Sequence, residues 1–255
     1  MAKVRVDQLL VDQGLAESRS KAQAYVLAGL VFWGERKLES AGAAIPEEAE
    51  LTVRGHEHGY VSRGGVKLAG ALDSFAVDPR GLRCLDLGAS TGGFTDCLLQ
   101  RGAAHVVAVD VGYGQLAHKL RTDARVTNLE RTNGRTLTLE IIGGAVDLSV
   151  VDASFIGLAK LADALAVCTR SGGLLVALVK PQFEAGREVV SKGKGVVRDE
   201  EERRRCIDEA ASAVAAAGFE VLGTADCVIH GPKGNREAFV HARRKSEAIP
   251  HGKDS

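Results

Sequence analysis

Aromatic residues make up 4% of this 255-residue chain. Beside plentiful alanine, glycine and valine, that scarcity fits a parallel sheet covered by helices. Neither sign of charge is in excess: 33 Lys and Arg balance 33 Asp and Glu. Bulk charge therefore argues for no partner, and any nucleic-acid surface must come from local clustering. The five cysteines (Cys84, Cys97, Cys168, Cys206, Cys227) form no C-x-x-C pair, which excludes a thiol redox motif and leaves buried free thiols in a reducing compartment. No apolar run reaches membrane-spanning length; Leu174–Val179 is a buried strand at most. The start, Met1-Ala-Lys-Val-Arg-Val-Asp7, is polar at once and unlike a signal peptide. The seven histidines form no metal-ligand pattern. A cytoplasmic protein with no membrane or metal partner is expected.

What the chain does have is Cys84-Leu-Asp-Leu-Gly-Ala-Ser-Thr-Gly-Gly-Phe-Thr-Asp-Cys-Leu-Leu99. An apolar strand ends at Asp86-Leu87-Gly88, small residues follow, and Gly93-Phe94 open an amphipathic helix. Glycines let backbone approach a ligand, and helix-start N–H groups face it. A dinucleotide fingerprint requires G-x-G-x-x-G, but the glycines stand at 88, 92 and 93. A P-loop requires Gly-Lys-Ser/Thr, but Phe94-Thr95 follow Gly93. With Asp86 in the turn and no base beside it, the site suits a ligand with a cationic amino group and no phosphate, such as S-adenosylmethionine. The next strand, His105–Asp110, ends in a second acid that can accept from both hydroxyls of a ribose. An ordinary α/β turn is the alternative.

Residues 1–58 differ from the rest. A helix begins at Val6, and a second, with Ser18 as candidate N-cap, runs through Tyr25 to a C-terminal Gly29. Short strands follow at Leu30–Trp33, Lys37-Leu38 and Glu50–Val53. Residues 59–65 read as linker. A helix from Val66 to Phe75 then leads into candidate strands at Arg83–Leu87, His105–Asp110, Val126–Leu129, Val146–Asp152, Leu174–Lys180, Glu220–Cys227 and Ala238–Ala242. The alternation implies a doubly wound α/β sheet, mainly parallel, ending in an antiparallel pair, with binding at the strand C-termini. Residues 246–255 are expected to form a disordered tail.

In the small module, Arg19 and Lys21 stand at a helix start with Lys3 and Arg5 nearby, a possible phosphate site. Residues 1–67 hold as many acids as bases, so a solvated helix face explains the charges equally well. The segments Val4-Arg5-Val6-Asp7-Gln-Leu9-Leu10, Gly14-Leu-Ala-Glu-Ser18-Arg-Ser-Lys-Ala22 and Leu27-Ala-Gly-Leu-Val31 resemble the αL RNA-binding motif. That resemblance implies a small α+β domain holding structured RNA through shape and phosphates.

Four charged residues stand in unusual places. Lys67 follows Tyr60-Val-Ser-Arg63-Gly-Gly65, Asp152 and Lys180 close apolar strands, and Glu237 begins the last strand. If the two middle strands adjoin, Asp152 and Lys180 emerge at the sheet edge where the cofactor should lie. In order and context the four are similar to the Lys-Asp-Lys-Glu tetrad of FtsJ-type ribose 2′-O-methyltransferases. With the αL module in front, residues 4–242 resemble the TlyA (hemolysin A-like) family of rRNA methyltransferases. Asp110-Val-Gly-Tyr-Gly-Gln-Leu, Glu130-Arg-Thr-Asn133, Asp152-Ala-Ser-Phe-Ile156, Val179-Lys-Pro-Gln-Phe-Glu184 and Gly231-Pro-Lys-Gly-Asn235 carry the likeness.

The resemblance implies a Rossmann-like S-adenosylmethionine-dependent methyltransferase domain over residues 66–245. Its cofactor would lie against Asp86, Gly88, Ala89, Ser90, Thr91, Gly92, Gly93, Phe94, Asp110, Val111, Gln115, Glu130, Arg131, Thr132 and Phe155. RNA would be gripped by Arg5, Arg19, Lys21 and Arg63; the charges at Arg187, Lys192, Lys194 and Arg198, in a glycine-containing segment after Lys180, fit either a mobile RNA-gripping loop or a solvated charged one. A ribose hydroxyl must lose its proton as it attacks a sulfonium methyl. A lysine accepts that proton only if its pKa falls from about 10 toward neutrality. Lys180 is the expected base or hydroxyl orienter, with Lys67 beside it as a like charge and Asp152 and Glu237 orienting the pair. The expected substrate is a cytidine of rRNA within a ribosomal subunit, and the short tail resembles family members that act on the large subunit. A monomer is expected. An RNA-binding ribosome-assembly factor and a hemolysin-like membrane-active protein are the competing readings.

Overall fold

The computed structural model describes residues 3–16, 18–53, 59–154, 156–185, 195–231 and 234–246. Phe155, Arg187, Lys192, Lys194 and the tail from residue 247 lie outside the described residues. The chain forms two compact units, Met1–Gly59 and Tyr60–Ser255.

The smaller unit begins with strand β1 (Lys3–Arg5), then helices α1 (Val6–Asp12) and α2 (Arg19–Leu27). Strands β2 (Val31–Trp33), β3 (Arg36–Lys37), β4 (Ala44–Pro46) and β5 (Leu51–Val53) follow. Ser18 caps α2, its hydroxyl accepting from the Lys21 N–H at 3.3 Å. Val6, Leu10, Val26, Val31 and Ile45 share one core. The expected sheet is present as β3-β2-β5, all antiparallel. The β1–β4 pair was not anticipated. Each strand is three residues long, too short to show an alternating pattern.

In the larger unit, helix α3 (Arg63–Ser74) precedes β6 (Arg83–Leu87), α4 (Gly93–Gln100), β7 (His105–Val109), α5 (His118–Arg121) and β8 (Val126–Leu129). Then come α6 (Leu139–Ile142), β9 (Val146–Val151), α7 (Ala162–Cys168), β10 (Thr169–Val179) and α8 (Pro181–Glu184). Helix α9 (Glu200–Ala216) and strands β11 (Phe219–Asp226) and β12 (Ala238–Arg244) complete it.

The seven strands lie in the order β11-β12-β10-β9-β6-β7-β8. Strands β10 to β8 are parallel, and β12 runs antiparallel between β10 and β11. This is the expected α/β architecture. Side chains alternate between two apolar layers: Leu85, Val107 and Ala177 face one, Cys84, Val106 and Val176 the other. After β8 the chain crosses back to place β9 on the far side of β6. The strand order therefore reverses between β6 and β9, where open α/β sheets leave a crevice beyond the strand C-termini.

Helix α3 starts at Arg63, earlier than the expected Val66. Gly64 and Gly65 weaken helix propensity, but tertiary contacts override it. Ser62 accepts from the Gly64 N–H at 3.3 Å, and the Val61 N–H donates to Asp96 Oδ2 at 2.7 Å. A Cβ at Gly93 would lie 2.9 Å from the Gly65 nitrogen, so these glycines let α3 and α4 approach. Residues 60–65 thus build the larger unit, where a linker was expected.

Candidate active site

The turn after β6 needs left-handed backbone at Gly88, Ser90 and Gly92 (φ 88°, 48° and 94°). Only Ser90 carries a side chain there, a strain typical of ligand-facing turns. The Gly88 and Ala89 N–H groups donate to the Val109 carbonyl at 2.9 and 3.1 Å, fixing the turn beside β7. Asp110, just past β7, accepts from the Ser90 N–H at 2.8 Å and the Gly112 N–H at 2.7 Å.

A cavity of about 350 Å³ opens at this edge. Of the expected cofactor residues, Gly88, Ser90, Asp110, Val111, Gln115 and Thr132 line it. Leu87, Ile156 and Leu161 supply apolar wall, and Asn133 an amide; among the described residues no Lys or Arg lines it. A carboxylate, amides, apolar surface and no cation to balance phosphate fit a phosphate-free nucleoside such as S-adenosylmethionine. Asn133 and Ile156 ended two of the quoted motifs without being assigned to the cofactor, and Gly134 and Leu161 were not named. Their signal was position, just beyond β8 and β9 at the sheet's binding edge.

Asp86 stands elsewhere. It is fully buried and lines neither this cavity nor its neighbour. Its Oδ2 accepts from the Thr95 N–H at 2.8 Å and hydroxyl at 2.6 Å, tying β6 to α4, while Oδ1 has no partner among the described residues. Burial pushes its carboxyl up to about 7 against the lowering effect of Thr95. Its carboxylate therefore braces the turn against α4 and does not line either cavity. Glu130, Arg131 and Gly92 also lie off the walls. The Arg131 guanidinium sits 4.2 Å over the exposed Tyr113 ring. The Gly114 N–H and the Asn128 amide hold Glu130 below the usual carboxylate range.

A second cavity of about 260 Å³ adjoins the first. Ala89, Thr91, Gly93 and Phe94 line it together with Arg63, Lys67, Asp152 and Lys180. The two cavities share Gly88, Ser90, Asp152 and Ser154. Strands β9 and β10 adjoin in parallel, which brings Asp152 and Lys180 to one edge. Lys180 Nζ lies 2.5 Å from Asp152 Oδ1 and donates to Ser154 Oγ at 2.8 Å. Lys67, on α3, donates to Glu237 Oε2 at 2.5 Å, and the Gln182 amide donates to Glu237 Oε1 at 3.4 Å. The sequence suggested Lys67 beside Lys180 as a like charge, with Asp152 and Glu237 orienting the two. In the fold each ammonium has its own carboxylate, because an unpaired ammonium at this burial would cost more than a paired one.

Of the expected RNA residues, Arg63 donates to the His230 carbonyl at 2.7 Å on the wall of the second cavity. Arg5 and Arg19 both hold Asp7, and Lys21 Nζ lies 5.5 Å over the Tyr25 ring. Arg198 is exposed. The cysteines are free, four buried and Cys227 half-buried, with burial pushing the Cys84 thiol up to about 12. No helix among the described residues is long and apolar enough to cross a membrane.

The model of the family described as FtsJ-like methyltransferase matches residues 60–244. The 16S/23S rRNA (cytidine-2′-O)-methyltransferase TlyA of Mycobacterium tuberculosis is 48% identical over 246 residues, 96% of this chain and 91% of that protein. The 23S rRNA (cytidine-2′-O)-methyltransferase TlyA of Campylobacter jejuni is 35% identical over 185 residues, 71% of this chain and 70% of that protein. A candidate hemolysin from Streptococcus thermophilus superimposes with a TM-score of 0.75 at 41% identity, covering 97% of this chain and 90% of that one.

Proposed function

Because the chain belongs to the FtsJ-like methyltransferase family, we propose that it is an S-adenosylmethionine-dependent rRNA methyltransferase acting on the ribose 2′-hydroxyl of a cytidine. The observation that carries this reading is the meeting of two ion pairs, Lys180–Asp152 and Lys67–Glu237, at a cavity that opens onto the nucleoside-sized one. Large-subunit rRNA is the favoured substrate, since 23S rRNA is common to the names of both relatives.

When bound, the cofactor supplies a methyl group on a sulfonium. The chain's own residues do the rest. Asp110, Gln115 and Thr132 would hold the nucleoside, and Gly88 keeps the wall thin beside Asp152, whose carbonyl leaves no room for a side chain there. Lys180 receives the hydroxyl proton or orients the oxygen, with Asp152 holding the amine in place. Lys67, held by Glu237, places a second positive charge on the wall of the same cavity, where a ribose-phosphate backbone would pass. The smaller unit, with Arg19 and Lys21 at the start of α2, would bind RNA through phosphates.

The test is to incubate the protein with large-subunit rRNA and S-adenosylmethionine and to map 2′-O-methyl groups. Lys180→Ala should keep cofactor affinity and lose methyl transfer. Transfer at the wild-type rate would overturn the assignment. Dye release from liposomes by the purified protein would support the lytic reading instead.

A further inference from the structure

We propose that Ser154 is a positioning residue for this methyl transfer, fixing the rotation of the Lys180 amine so that its lone pair faces the ribose hydroxyl. The inference rests on the function proposed above. It begins from a placement: Ser154 lies just beyond Asp152 after β9 and is shared by the walls of both cavities. A methyl donor in one cavity and a hydroxyl in the other can meet only at this shared wall. Ser154 Oγ accepts from Lys180 Nζ at 2.8 Å, while Asp152 Oδ1 lies 2.5 Å from the same nitrogen.

The geometry of an amine makes these two contacts informative. A neutral lysine nitrogen carries two N–H bonds and one lone pair, arranged tetrahedrally about the bond to Cε. Rotation about that bond decides where the lone pair points. The hydrogen bond to Ser154 commits one N–H and leaves the lone pair two directions, and the Asp152 carboxylate, an ion-pair contact rather than a hydrogen bond, repels the lone pair from its own side. Without the Ser154 hydroxyl, no hydrogen bond selects among the three staggered rotations and the amine can present the lone pair in the wrong direction. The Phe183 ring, 5.9 Å from Nζ, is a weak third neighbour and does not compete with a carboxylate or a hydroxyl. As the ribose oxygen bonds to the methyl carbon, the carbon–sulfur bond breaks and its electron pair stays on sulfur. The hydroxyl proton passes to the Lys180 lone pair, giving an ammonium whose third N–H points at the new ether oxygen. Asp152 supplies charge and Ser154 supplies direction.

Ser154→Ala and Ser154→Thr separate direction from packing. Ser154→Ala should lower kcat roughly tenfold or more, as misorientation of a reacting group does. KM for RNA and Kd for the cofactor should stay near wild type. Losing an acceptor for the ammonium should move the acid limb of the kcat profile to lower pH. Ser154→Thr, which keeps the hydroxyl, should restore most of kcat and the wild-type profile. An unchanged kcat and profile in Ser154→Ala would overturn the proposal. So would a loss confined to cofactor Kd, which would make Ser154 only a wall of the first cavity. If the wild-type protein itself transfers no methyl to rRNA, the functional reading fails; if it does and Ser154→Ala matches it, only this inference fails.

Discussion

Lys67 and Glu237 stand 170 positions apart and meet at 2.5 Å, joining helix α3 to the start of β12, the last strand. Their side chains are 9% and 0% exposed. A pair this buried contributes little net stability, because desolvation offsets attraction, yet breaking it strands a charge. Lys67→Met should therefore lower unfolding stability by about 3–5 kcal/mol. The double variant Lys67→Met/Glu237→Leu should be more stable than that single variant. Urea denaturation checks both, and a double variant worse than the single one would show that the pair is not a closed unit. Methyl transfer should be lost in both variants, so stability and activity separate in the double one.

Gly88 and Gly81 offer a controlled comparison in the same unit. Both have positive φ, 88° and 73°, so alanine strains the backbone at either by about 1–3 kcal/mol. Only at Gly88 would the added Cβ also meet backbone, 2.6 Å from the Asp152 carbonyl oxygen; nothing lies within 4 Å of a Cβ at Gly81. Gly88→Ala should displace the segment carrying Asp152 and weaken cofactor binding at least tenfold by calorimetry. Gly81→Ala should lose stability alone. Equal cofactor affinity in the two variants would remove the close approach at Gly88 from the site.

The sheet was legible because apolar strands, glycine turns and helical segments alternate along the chain, and local pattern dictates such an architecture. The carboxylates and lysines at strand ends were legible for the same reason: strand termini converge at one edge. Which ammonium pairs with which carboxylate was not legible, since Lys67 and Glu237 are neighbours only in the folded unit. Ser154 stood within the quoted segment Asp152–Ile156, but nothing in the pattern gave that one small polar residue a role. The burial of Asp86 was not legible without a face argument. Asp86 alternates with Leu85 and Leu87 and so shares the side of β6 that Cys84 turns toward α4. That parity places its carboxylate under the helix rather than in the crevice.

In the smaller unit, Asp7 gathers three donors. Arg5 gives it two bonds of 2.9 Å, Gln23 one of 2.8 Å and Arg19 one of 3.3 Å. The Arg5 guanidinium, foremost among these, holds the buried carboxyl well below the usual range. Arg19 is about half exposed and spends one N–H on Asp7, leaving most of its fork for phosphate. Arg19→Ala should weaken rRNA binding at all sequences and reduce the slope of log K against log salt by about 1. Transfer at saturating RNA should persist. Arg5→Ala should instead destabilise this unit, because Asp7 stays buried. Filter binding at several salt concentrations is the check, and an unchanged slope for Arg19→Ala would take Arg19 off the RNA surface.

Asp86 gives a pH signature that is the reverse of an ordinary salt-bridged acid. Its carboxyl stands at about 7 in the folded chain, against about 3.9 for an exposed aspartate. Between those values the native state keeps the proton and the unfolded state has released it. Rising pH therefore favours unfolding: the stabilisation is fully present below about pH 4 and is lost as pH climbs through about 7. At about 1.4 kcal/mol per unit, the change is bounded at about 4 kcal/mol. Asp86→Asn cannot ionise and keeps an oxygen for the Thr95 N–H and hydroxyl. Relative to wild type, Asp86→Asn should gain stability steadily from pH 4.5 to 7.5 in urea titrations with no cofactor added. Parallel pH profiles for the two proteins would mean that Asp86 is ionised throughout, and that its unpartnered Oδ1 has found a cation or a water that offsets its burial.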